Sequence, residues 1–198
     1  MVKISKRIGC ALLCFAILFS FSACSKSNEL TEENVTKTVE TAVTALKEFD
    51  DKALDKYVDS KTLSYILSFA KDHEQFSELG KAIFENLEVE IESIDLEAKT
   101  VDISVKNKSL SMAAGSFTKK LLEEHSKIQL LNLLSDDGFL DTSLSELVDS
   151  INSSAMQDEA VTVTLKITQG KKNLVLSFDD EAENAVSGGA LQAIKTLI

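Results

Sequence analysis

The sequence predicts an α+β domain in which N-terminal helices cover a curved antiparallel sheet of about four strands. Three observations predict it. Apolar residues recur at helical spacing from residue 31 to about residue 87. The period then drops to two in "LEVEIESIDLEAKTVDISVKN" and again in "AVTVTLKITQGKKNLVLSFDD", the alternation of a strand with one dry face and one wet face. Helical spacing returns between these two stretches, so a helical insertion separates two hairpins. Strands with a single apolar face cannot cover themselves, and helices must lie on that face.

Each element has its own warrant. Thr31 opens "TEENVTKTVETAVTALKEF" as an N-cap with acids in the first turn. Val35, Val39, Ala42, Val43, Leu46 and Phe49 form its apolar stripe. "DDKALDKYVDS" reads as a short helix with Leu54 and Tyr57 inward, and residues 60–87 as one or two helices broken near Asp72 or Gly80. In the first hairpin the apolar phase slips between Ile91 and Ile94, which predicts a bulge near Ser93. The second hairpin pairs Val161, Val163, Leu165 and Ile167 with Leu174, Leu176 and Phe178 around a turn at Gly170.

In the insertion, Met112 to Leu134 is helical in period and "SDDGF" is a turn. Ser143 with Glu146 predicts a capping box for a further helix to about Ile151. Ser187–Gly189 marks a bend, after which Leu191, Ile194 and Ile198 share one helical face that should dock.

The N-terminus belongs to a different class of segment. Lys3, Lys6 and Arg7 precede an apolar run from Ile8 to Ala23, the pattern of a secretory signal. Sixteen residues interrupted by Ser20 and Ser22 fall short of the roughly 20 needed to cross a bilayer. The boundary "FSAC", Phe21 to Cys24, resembles the lipobox of bacterial lipoproteins. That resemblance implies a diacylglyceryl group on the Cys24 thiol, removal of residues 1–23, and attachment to the outer face of the bacterial cell membrane. Two acyl chains suffice for stable anchoring without a span, at about 0.8 kcal/mol per buried methylene. Residues 24–30 then form a short tether, and residues 31–198 a single domain.

Processing would also remove Cys10 and Cys14, leaving a mature chain with neither a disulfide nor a free thiol. Its 175 residues are enough for a core that needs no staple. Net charge is −11, and loss of Lys3, Lys6 and Arg7 takes it to −14. Such a chain has no basic stripe to displace counterions, so nucleic acid is not an expected partner. An anionic membrane surface would repel the domain as a whole.

The opening helix with "ALKEFDDKALDKYVDS", the strand start "FENLEVEIESIDLEAKTVDISVKNKSL" and the close "FDDEAENAVSGGALQAI" together resemble the NTF2-like, cystatin-like cone architecture found among small lipoproteins of Gram-positive bacteria. The resemblance spans most of residues 31–198 and implies a pocket between helices and sheet. Tyr57 and Tyr65, the only tyrosines, would supply polar tips to it.

Dedicated chemistry is sparse in the sequence. G-x-S-x-G, P-loop and G-x-G-x-x-G patterns are missing, and no cofactor is expected. His73 and His125 lack paired ligand spacing and read as solvated helix residues. Asp136, Asp137 and Asp141 around Gly138 miss the spacing of a calcium loop, so no metal is expected. The sequons at Asn34, Asn107 and Asn152 are read as chance. No catalytic residue is singled out. The expectation is a membrane-anchored, extracytoplasmic binding or protein-interaction module for a small ligand or a protein partner. The alternative is a small hydrolase or isomerase using a carboxylate in the cone.

Overall fold

The computed structural model describes residues 27–195. Helix α1 (Glu32–Glu48) starts where predicted, with the Thr31 hydroxyl accepting from the Asn34 N–H at 3.2 Å. Val35, Val39, Ala42 and Leu46 are buried on its inner face. It ends at Phe49, whose left-handed backbone (φ 52°) turns the chain into α2 (Asp51–Tyr57) under an Asp50 cap.

The chain then runs through β1 (Val58–Asp59), α3 (Lys61–Ala70), α4 (Glu74–Phe84), β2 (Glu88–Asp95) and β3 (Thr100–Lys106). The insertion holds α5 (Ser111–Glu124), α6 (Lys127–Leu133) and α7 (Asp137–Asn152). Strands β4 (Val161–Gln169) and β5 (Leu174–Ser177) and helices α8 (Asp180–Val186) and α9 (Ala190–Ile194) complete the described chain.

The class is α+β as expected, but the sheet is neither four-stranded nor wholly antiparallel. Five strands run in the order β1-β5-β4-β3-β2, with β1 parallel to β5 and the other pairs antiparallel. Two residues are too short to show an alternation, which is why β1 was invisible in the sequence. It is held by Val58 opposite Leu176 and by the Phe178 N–H donating to the Asp59 carbonyl at 2.8 Å. The bulge falls where the phase slip predicts, between Ile91 and Ser93. Edge strand β2 exposes Glu88, Glu90 and Glu92, charges that discourage pairing with another chain.

Val101, Ile103, Val105, Val163, Leu165, Ile167, Leu174 and Leu176 bury one face of the sheet. Helix α1 lies against both β5 and β2, so it crosses the sheet from near one edge to the other. Helix α4 packs on α1, and α7 packs on α4, adding an outer helical layer. Phe84 and Leu87, almost fully buried, fill the joint between α4 and the sheet. Each such side chain contributes about 1.5–3 kcal/mol by leaving water.

The break between α3 and α4 falls at Asp72, and Gly80 lies inside α4. That glycine is required for packing: a Cβ there would sit 2.3 Å from the Phe49 ring. Helix α7 starts at Asp137, not at Ser143. The Asp136 carboxylate caps it from the Phe139 N–H at 2.8 Å, and Leu140, Leu144, Leu147 and Ile151 form one continuous buried stripe. Ser143 is therefore mid-helix, and the capping box of this region is Ser126 with Gln129, which splits the predicted Met112–Leu134 helix in two. The bend before the tail holds. Gly188 has φ 56°, and a Cβ on it would overlap the Lys108 carbonyl oxygen at 1.8 Å. Leu191 docks as expected and Ile194 is half-buried, while Ile198 lies outside the described residues.

Candidate functional site

Two depressions and the segment that follows Cys24 in sequence bear on function. The larger depression is an open cleft of 690 Å³ where β4 and β5 meet the start of α8. Lys61, Lys166 and Lys195 share it with Asp59, Asp180 and Glu181. The Lys195 ammonium donates to Asp180, and that bond holds its pKa above the ordinary lysine value. Lys195 and Asp180 thus neutralise one another within a cleft whose lining holds more acids than lysines.

Glu183 lines the cleft's inner wall and is buried. Its Oε1 accepts from the Ser60 hydroxyl at 2.5 Å and the Thr62 N–H at 3.3 Å, and its Oε2 accepts from the Thr62 hydroxyl at 2.7 Å. Ser60 is also the N-cap of α3, accepting from the Leu63 N–H at 3.0 Å. The carboxylate therefore sits on the positive end of α3, where helix dipole and N–H groups both favour an anion. Its oxygens are committed to joining α8 to α3.

The second depression is apolar and lies between helical layers. Tyr65, Phe69, Phe76, Leu79, Phe139 and Leu147 contribute to its lining. Tyr65 meets Phe69 edge-on at 5.0 Å, and Phe69 meets Phe76 at 5.3 Å. Its volume is 70 Å³, far below the 300–1,000 Å³ of sites that enclose a drug-sized ligand. Tyr57 is not part of this lining and packs half-buried against the main core. The two tyrosines are not brought together in one pocket.

Cys24 lies outside the described residues, and from Ser27 the chain is bonded to the domain. The Ser27 hydroxyl donates to the Lys172 carbonyl at 2.5 Å, and the Asn28 amide donates to the carbonyls of Gly170 and Lys171 at 3.2 and 3.3 Å. Gln169 returns a bond to the Asn28 carbonyl at 3.1 Å. The expected tether is thus pinned to the β4–β5 turn from Ser27 onward.

The remaining sequence candidates have structural duties. His73 is not solvated: its side chain is 16 % exposed and its Nδ1 lies 2.8 Å from Asp137 Oδ1, joining the starts of α4 and α7. His125 is half-buried, edge-on to Phe139. Asp136 caps α7 and Asp141 accepts from Gln75, so the acids around Gly138 are engaged separately. No group of three or more metal-ligating side chains occurs among the described residues. Asn34 and Asn107 are buried, at 7 % and 0 % exposure, which fits the reading of their sequons as chance. Sequence reasoning missed Glu183 altogether. Its signal was a place on the same helical arc as Ala182 and Val186, among four acids of which the others face water.

Comparison with family models, with curated proteins and with solved structures finds no match to this chain.

Proposed function

We propose that this chain is a bacterial lipoprotein, held on the outer face of the cell membrane through a diacylglyceryl group on Cys24, and that its α+β domain is a binding or interaction module of NTF2-like architecture. The observation that carries the reading is "FSAC" at the end of a basic-then-apolar leader, only three residues before Ser27, which is bonded to the domain surface. No cysteine occurs between residues 27 and 195, so Cys24 is the one thiol left after processing. The NTF2-like assignment is supported by α1 lying across the sheet and touching strands near both edges.

An interaction role is favoured over pocket chemistry by two features. The space between helices and sheet is filled with buried side chains such as Leu46, Phe84 and Ile103. The helical insertion meanwhile leaves Met112 81 %, Ile128 75 % and Leu131 50 % exposed, an excess of apolar surface on one segment of an acidic protein.

Metabolic labelling with a fatty acid tests the anchor. The full chain should take up label and fractionate with membranes, and Cys24→Ala should lose both properties. Label retained by that variant overturns the assignment.

A further inference from the structure

We propose that the β4–β5 turn is the face this domain presents to the membrane, with Lys171, Lys172 and Lys56 meeting anionic phospholipid headgroups. The inference rests on lipid attachment at Cys24 and adds an orientation to it. Ser27 and Asn28 are bonded to the carbonyls of residues 170–172. Three residues from Ser27 back to Cys24 span at most about 11 Å of extended chain. The lipid therefore enters the bilayer beside this turn and nowhere else on the domain.

The turn's charge is opposite to that of the molecule. Lys171 and Lys172 are exposed at its tip. Exposed Lys56 adjoins them, because the Asn173 amide donates to the Lys56 carbonyl at 2.6 Å. Glu29 and Asp55 neighbour this group in sequence and leave a positive excess, on a chain whose net charge is −11. Lys26 stands in the segment between anchor and turn. An acidic globule held at an anionic surface is repelled as a whole, so a basic spot at the attachment point favours the orientation that turns it to the lipid. Lysines near such a surface are attracted to it within a Debye length of about 8–10 Å. The tether keeps the turn inside that range.

The full lipidated chain, reconstituted into vesicles of phosphatidylcholine alone or mixed with phosphatidylglycerol, supplies the test. Lysines are acetylated with a neutral water-soluble reagent and read by mass spectrometry, with Lys119 on α5 as the internal reference. Lys171 and Lys172 should react about fivefold more slowly in the phosphatidylglycerol vesicles, and high salt should abolish the difference. Lys171→Glu combined with Lys172→Glu should abolish the corresponding protection of Lys56. Equal rates in both vesicles, with the protein still floating with the lipid, overturn the orientation and leave the anchor standing. Protein that does not float and has an unmodified Cys24 overturns the anchor, and the orientation with it.

Discussion

Glu183 accepts two hydrogen bonds from Thr62, one from the hydroxyl at 2.7 Å and one from the N–H at 3.3 Å, across 121 residues of sequence. Both residues are buried, at 4 % and 2 % exposure. The contact fastens the C-terminal helices to the start of α3 and sits at the inner wall of the charged cleft. A carboxylate placed there to do chemistry would need oxygens open to a substrate, whereas these are occupied by donors from one helix end.

Glu183→Ala should therefore destabilise the fold by about 3 kcal/mol, because the Ser60 and Thr62 hydroxyls and the Thr62 N–H lose a charged acceptor in a buried site. Glu183→Gln keeps the shape and one acceptor oxygen, and the hydroxyls can rotate to accept from its amide, so about 1 kcal/mol is expected. Urea unfolding monitored by circular dichroism measures both. Equal, small losses for the two variants would show that the carboxylate is not a fastening group.

Asp102 supplies a pH-dependent prediction on the sheet's open face. The Thr164 hydroxyl at 2.6 Å and the Ser93 hydroxyl at 2.7 Å donate to its two oxygens and hold its pKa below the ordinary carboxylate value. A folded-state pKa lower than the unfolded one gives stability that is present above the unfolded value and lost as pH falls through the folded value. Thr164→Val removes the larger of the two causes. In an NMR titration the Asp102 midpoint should rise toward the ordinary value in that variant, and the variant's stability should fall less steeply on acidification. A midpoint that does not move would refute the role of the Thr164 hydroxyl.

The α+β class, α1 and its cap, and the bulge at Ser93 were all legible in the sequence, because each is set by residues close together in the chain. The bend at Gly188 was legible too, although the Lys108 carbonyl against that glycine was not. Periodicity and side-chain capping are local signals. What was hidden depends on partners far apart in sequence. β1 exists only because Leu174–Ser177 presents an unpaired edge to Val58 and Asp59. Gly80 looked like a helix break, and only the Phe49 ring against it shows why a glycine sits within α4. Ser143 and Glu146 have capping-box spacing, yet the stripe from Leu140 to Ile151 needed the earlier start at Asp136. The sites followed the same rule: His73 and Glu183 are neighbours of charge in sequence, but their partners Asp137 and Thr62 are found only in the folded chain.

Asn107 is the most demanding of these distant junctions. It is fully buried at the end of β3, and its amide donates to the Ile83 carbonyl at 2.9 Å and the Val186 carbonyl at 2.7 Å. Its Oδ1 accepts from the Lys108 N–H at 2.7 Å. One side chain thus satisfies the end of α4 and the end of α8 together, at a place shielded from solvent. Asn107→Asp exchanges the amide NH2 for an oxygen with almost no change of volume, but it replaces both donors with one acceptor oxygen aimed at the two carbonyl oxygens. A buried charge without a partner, added to two stranded carbonyls, should cost about 4 kcal/mol. Asn107→Ala leaves the same carbonyls stranded without adding a charge and should cost less. Comparison of the two variants at neutral pH separates charge from lost bonding: if Asn107→Asp is no worse than Asn107→Ala, the site admits water or a counterion and the junction is looser than its geometry implies.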